Sequence, residues 1–77
     1  MERVEIVEKV KTILANYSDL KPEEMNEKSR LMSDLGLTSF DLICLSGSLE
    51  DVFNVKIEES LINSLQTIGD VVKQIED

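Results

Sequence analysis

Apolar residues open the chain at the three-to-four spacing of one helical face: Val4, Val7, Val10, Leu14 and Tyr17, with Ile6 and Ile13 widening the stripe. This spacing predicts a helix over residues 3–17. Glu5 and Lys9 stand four apart in the favourable order. Ser18-Asp19 and then Pro22 end the pattern. Residues 18–37 show no helical period and read as a long connection. Its apolar residues, Leu20, Met25, Leu31, Leu35 and Leu37, come at intervals. A connection this long is unusual in a small chain and is often functional. The spaced apolar residues predict that it is pinned to the core, with a short helical turn at Pro22–Met25 started by the proline.

Residues 39–53 read as a second helix. Thr38-Ser39-Phe40-Asp41 fits the capping-box pattern ahead of an apolar run. Leu42, Leu45, Leu49 and Val52/Phe53 form one stripe; Phe40, Ile43, Cys44 and Gly47 form another. One stripe suffices for a small core. The second is therefore covered by another helix or exposed for a partner or ligand. Asn54-Val55-Lys56-Ile57 breaks the helix, and residues 58–64 fit one or two helical turns. Thr67-Ile68-Gly69-Asp70 reads as a second cap, starting a last helix through about Ile75 with Val71, Val72 and Ile75 as its apolar side. No segment alternates with period two over a useful length. The predicted fold is all-α: a small bundle of three longer helices plus one short helix.

The chain has 77 residues, so one domain spanning 1–77 is expected. It contains no histidine, which excludes Ser-His-Asp and Cys-His catalysis within the chain, and zinc sites built on histidine. Its one cysteine forms no internal disulfide and suits a reducing cytoplasm. The net charge of −8 argues against a nucleic-acid partner. No apolar run approaches the roughly 18 residues of a membrane span. The start, Met1-Glu2-Arg3-Val4-Glu5, is too charged for a signal peptide. The charge is uneven: residues 1–38 hold six basic and eight acidic side chains, residues 39–77 two basic and eight acidic. The reading is a soluble, cytoplasmic, monomeric domain that presents a surface rather than an enclosed catalytic site, with no metal.

The most informative segment is Asp34-Leu35-Gly36-Leu37-Thr38-Ser39-Phe40-Asp41-Leu42. It places a serine where a glycine-containing loop turns into a helix. The first N–H groups of a helix lack internal partners, and the macrodipole is positive there. A phosphate ester on Ser39 is therefore stabilised at that position. Serine or threonine as an ordinary helix cap accounts for the same residues.

The segment resembles the Asp-Leu-Gly-x-Asp-Ser-Leu-(Asp/Glu) motif that starts the second helix of acyl carrier proteins. The resemblance extends over the whole chain. It includes the first amphipathic helix, the long loop, the Leu-Glu-Asp-x-Phe-x-Val-x-Ile stretch at Leu49–Ile57, and the closing Thr67-Ile68-Gly69-Asp70-Val71. It implies that Ser39 carries 4′-phosphopantetheine, installed from coenzyme A by a phosphopantetheinyl transferase. It implies further that the arm's thiol holds acyl groups as thioesters for fatty-acid or polyketide-type synthesis, and that the protein itself catalyses nothing. Thr38 stands where the family usually has Asp, and Phe40 where it usually has Leu. Both leave the serine hydroxyl in place, and both lie where a transferase touches.

By the same resemblance, Phe40, Asp41, Ile43, Cys44, Gly47, Glu50 and Asp51 form the face met by acyl-processing enzymes. Cys44 replaces a commonly acidic partner-contacting position, and its residue type predicts a small, buried or half-buried apolar side chain. A free surface thiol is the other reading. Gly47 costs about 1 kcal/mol in mid-helix, which either close helix packing or room for a partner or acyl chain explains. Asp41, Glu50, Asp51, Glu58 and Glu59, with Lys56 alone among them, suggest docking to basic patches. An aminoacyl or peptidyl carrier is the alternative, but its usual Gly-Gly-x-Ser-Leu fits Gly36-Leu37-Thr38-Ser39-Phe40 poorly. A carrier-like interaction module without the arm is the other.

Overall fold

In the computed structural model, which describes residues 2–76, four α-helices follow in the order α1 (Arg3–Leu14), α2 (Ser39–Phe53), α3 (Glu59–Ile62) and α4 (Ile68–Glu76). A 3₁₀ turn at Pro22–Glu24 lies in the long connection, where the proline starts it. Among the described residues there is no strand, only an isolated bridge between Arg30 and Thr67. The all-α bundle with one short helix agrees with the sequence pattern.

Helix α1 packs against α4 and α2, and α2 against α3. Its buried stripe is Ile6, Val7, Val10 and Leu14. Val4, expected in that stripe, is 63% exposed, because it lies about 100° of helical rotation from the stripe's centre. The helix is also three residues shorter than expected. After Leu14 the chain tightens into i−3 bonds, from Asn16 N–H to the Ile13 carbonyl and from Tyr17 N–H to the Leu14 carbonyl. Tyr17 keeps its place against the core through a side-chain hydrogen bond to Ser48 on α2 at 2.8 Å.

From α2 the core takes Leu42, Leu45 and Leu49, with Phe53 packed partly against it. Val52 departs from the expected stripe and is half exposed, about 70° from the stripe's centre on the side facing α1. Asn54 ends the helix in the left-handed conformation (φ 53°), which asparagine tolerates. Helix α4 contributes Ile68, Val71, Val72 and Ile75. Thr67 and Asp70 cap it reciprocally, at 3.2 Å from Asp70 N–H to the Thr67 hydroxyl and 3.1 Å from Thr67 N–H to the Asp70 carboxylate.

The long connection is pinned as its apolar spacing predicts. Met25, Leu31, Leu35 and Leu37 are buried, and Leu20 packs partly against the core. Backbone bonds tie this loop to the start of α4: Leu31 N–H to the Gln66 carbonyl, Ile68 N–H to the Ser29 carbonyl and Gly69 N–H to the Glu27 carbonyl. Arg3 on α1 pairs with both Glu27 of the loop and Glu76 of α4. Its hydrogen bond to Glu27 is the largest of the influences that raise the guanidinium pKa further above its ordinary value.

Candidate functional site at the start of helix α2

Each residue of the segment preceding Ser39 has a local structural task. Asp34 accepts a hydrogen bond from the Arg30 backbone N–H at 2.7 Å, closing a turn. Leu35 is buried, and its carbonyl accepts from the Ser18 hydroxyl at 2.9 Å. Gly36 has φ +78°, a left-handed conformation that a side chain would strain. Leu37 is buried and donates its N–H to the Leu31 carbonyl. These anchors deliver the chain to α2 with little freedom.

Thr38 is the N-cap. Its hydroxyl accepts from Asp41 N–H at 3.2 Å, while the Asp41 carboxylate accepts from Thr38 N–H at 2.9 Å. The capping box read in the sequence is therefore formed by Thr38 and Asp41. The cap runs through Thr38, not Ser39. Ser39 is the first helical residue and is exposed. Its own N–H and that of Phe40 precede the first intrahelical bond, from Leu42 N–H to the Thr38 carbonyl. An exposed hydroxyl thus stands at the positive end of a 15-residue helix, outside the hydrogen bonds that cap it.

The second stripe of α2 is exposed. Phe40 is 72% and Ile43 54% accessible, and Cys44 and Gly47 face solvent with them. The exposure of Cys44 corrects the expectation of a buried or half-buried side chain. The helix turns that position away from Leu42, Leu45 and Leu49, and rotation outweighs residue type. Gly47 has no heavy atom within 4 Å of where a Cβ would stand, so close helix packing does not explain it.

Of the expected acidic residues, Asp51, Glu58 and Glu59 are exposed. Asp41 is half-buried within the capping box, and Glu50 is half-buried with its carboxylate accepting from Ile57 N–H at 2.8 Å. That bond ties down the turn after α2. The sequence carried no local signal for it, since the two residues are seven apart.

Two clefts flank the first turns of α2. One of about 300 Å³ lies between α2 and α3 and is lined by Ile43, Glu59, Ser60, Ile62 and Asn63. The other, about 330 Å³, lies on the loop side and includes Leu42, Arg30, Met32 and Leu65. Leu42 and Ile43 are three and four residues beyond Ser39, so both clefts open on the same stretch of helix. An exposed hydroxyl, free first-turn N–H groups and adjoining clefts of mixed polar and apolar lining fit a phosphodiester bearing a long arm. Among the described residues, no helix is long and apolar enough to cross a membrane.

Comparison with known proteins agrees with this geometry. A family model described as "Phosphopantetheine attachment site" matches residues 8–75. The acyl carrier protein of Phytoplasma australiense is 38% identical over 71 residues, covering 92% of this chain and 93% of that protein. The acyl carrier protein of Thermotoga maritima is 35% identical over 74 residues, covering 96% of this chain and 91% of that protein. That of Saccharopolyspora erythraea is 34% identical, over 95% of this chain and 77% of that protein. Among solved structures, the thermally stable acyl carrier protein of Enterococcus faecalis superposes with a TM-score of 0.82 at 27% identity, over 97% of this chain and 95% of that one. The sequence match and the shared helical architecture together establish that the chain belongs to the phosphopantetheine-dependent acyl carrier protein family.

Proposed function

We propose that this protein, as one domain, carries acyl groups for fatty-acid or polyketide-type synthesis in the cytoplasm, with Ser39 as the point of attachment. The observation that carries the assignment is the division of labour at the start of α2. Thr38 and Asp41 close the cap, and Ser39 beside them stays exposed with its hydroxyl outside the box. The bound 4′-phosphopantetheine supplies a terminal thiol that holds the acyl group as a thioester.

The chain's own residues attach, orient and present. The first-turn N–H groups and the helix dipole stabilise the phosphodiester's negative charge at Ser39. Gly36 and the buried Leu35 and Leu37 fix the loop, so that Ser39 is offered in one orientation. Ile43 and Ile62 wall the cleft between α2 and α3, which can shelter apolar cargo. Phe40, Ile43, Cys44 and Gly47 give partner enzymes an apolar footprint beside the arm. Asp51, Glu58 and Glu59 add an acidic rim that draws basic patches. Asp41 and Glu50 belong to this face, although their carboxylates also serve backbone bonds. No step of acyl chemistry is assigned to a side chain of this protein. The free thiol of Cys44 suits the reducing conditions of cytoplasm.

The test uses an acyl-coenzyme A as donor with a broad-specificity phosphopantetheinyl transferase, followed by neutral hydroxylamine. The expected product is an acylated protein that loses its acyl group to hydroxylamine and retains the arm. An arm that resists hydroxylamine, or a protein that accepts no arm, contradicts the assignment.

A further inference from the structure

We propose that the cleft on the loop side of α2 is a subsite for acyl groups ending in a carboxylate, and that Arg30 determines this choice. It rests on the Ser39 assignment and names a class of cargo for that same site. The two clefts beside the first turns of α2 carry opposite charge. The one between α2 and α3 has Glu59 as its only charged residue, with Ile43 and Ile62 as walls. The loop-side cleft has Arg30 as its only charged residue, with Ser33, Asn63 and Gln66 around the buried Leu42 and Leu65. In a chain of net charge −8, a cation thus lines this cleft with no carboxylate in the same lining.

Arg30 is fixed at its backbone and uncommitted at its head. Its N–H donates to the Asp34 carboxylate at 2.7 Å, and its carbonyl accepts from the N–H groups of Asp34 and Leu35. The residue is exposed. Among the described residues its guanidinium joins no ion pair; those present link Arg3 to Glu27 and Glu76, and Lys11 to Glu8. A guanidinium offers a planar fork of N–H donors that matches a carboxylate bidentately. The carboxamides of Asn63 and Gln66 and the Ser33 hydroxyl add donors on the same lining.

The cleft lies close to Ser39 on both of its walls. Leu42 is three residues past Ser39, about 60° round the helix and about 4.5 Å along it. On the loop wall, the bond from Leu37 N–H to the Leu31 carbonyl, at 3.0 Å, holds the Arg30–Leu31 segment beside the residues that enter α2. An arm on Ser39 that folds back over Leu42 therefore enters this cleft. An uncharged acyl chain gains nothing from Arg30. A carboxylate in the other cleft meets Glu59 and is repelled, so charge sorts the two kinds of cargo.

The experiment transfers a glutaryl, a pentanoyl or an unloaded arm from the corresponding coenzyme A to wild type, Arg30→Gln and Arg30→Lys, with each product confirmed by intact mass. Melting is followed by circular dichroism at low and high salt, and the backbone amide signals of Leu31 and Gln66 by NMR. Arg30→Gln should lower the Tm of the glutaryl form by about 1–6 °C more than that of the pentanoyl form, the size of one exposed ion pair in a chain this small. Arg30→Lys should keep part of the difference. In wild type, high salt should lower the glutaryl form relative to the pentanoyl form. Repulsion of the cargo by the net charge alone gives the opposite sign. Glutaryl should shift the Leu31 and Gln66 signals relative to pentanoyl in wild type but not in Arg30→Gln. An equal effect of Arg30→Gln on all three arms would assign Arg30 to the arm itself and overturn the proposal. A glutaryl form that gains from salt, or Leu31 and Gln66 signals that do not respond to glutaryl, would overturn it too. Each of these outcomes leaves attachment at Ser39 intact. Failure of wild type to take any arm overturns both.

Discussion

Gly47→Ala should stabilise the protein. Gly47 lies well inside α2, faces solvent, and has nothing within 4 Å of its missing Cβ. The added methyl thus meets no clash and gains the helix propensity of alanine over glycine, about 1 kcal/mol in a helix interior. With an unfolding entropy of about 2.1 cal/mol/K per residue, a chain of 77 residues has roughly 160 cal/mol/K. A gain of about 1 kcal/mol then raises Tm by about 6 °C. Circular dichroism melting of wild type and variant, both without the arm, measures this directly. The methyl also lands in the middle of the proposed docking face, so kcat/KM for arm transfer should fall while Tm rises. The opposite signs separate docking from folding. A Tm that stays level or drops would show that Gly47 serves packing or a backbone shape that this fold does not reveal, and would refute the reasoning.

Thr38→Ala removes one half of the capping box and should cost about 1 kcal/mol, or about 6 °C of Tm, whereas Thr38→Ser should retain most of the stability; equal loss in both would argue against a cap. Leu49 is fully buried, and Leu49→Ala should cost about 2–5 kcal/mol against a total stability of only about 4–12. Its melt should fall by at least about 12 °C or lose cooperativity, and a small shift would mean that the core collapses around the gap. The net charge of −8 should destabilise the folded state by self-repulsion, so millimolar Mg²⁺ should raise Tm; a flat or falling Tm counts against this. Arg3→Ala should lower Tm, with less effect in high salt, because Arg3 joins α1 to Glu27 and Glu76; a salt-independent loss would point to packing of the side-chain stem instead.

The fold was legible wherever a local signal sufficed. The three-to-four period marked α1 and α2, the two Thr-x-x-Asp boxes marked the starts of α2 and α4, and the spaced leucines showed that the long loop is fixed. The two-stripe pattern of α2 left its second stripe either covered by another helix or exposed, and the structure shows it exposed. Misreadings came where rotation or distance decides. Val4 and Val52 are apolar but sit at the edges of their stripes, where no neighbouring helix covers them fully. Cys44 was judged by its residue type, although it belongs to the stripe that includes exposed Phe40 and Ile43. The bond from Ile57 N–H to Glu50 and the bridging of Arg3 to Glu27 and Glu76 depend on chain closure over long separations, which periodicity does not encode. At the site, the motif pointed to Ser39 as the candidate for attachment. The Thr38-x-x-Asp41 pattern gave the cap, and the geometry added that the serine beside it stays exposed, outside the hydrogen bonds of the box.

The most direct test of the account is where the arm attaches. Wild type and Ser39→Ala would be incubated with coenzyme A and a phosphopantetheinyl transferase, weighed intact, and digested with trypsin. Cleavage after Arg30 and Lys56 leaves a peptide containing Ser33, Thr38, Ser39, Ser46 and Ser48, so fragmentation must choose among these hydroxyls. The account predicts one phosphopantetheine on wild type, located on Ser39, and none on the variant. Attachment at another hydroxyl, or an equal gain in mass by Ser39→Ala, would contradict it.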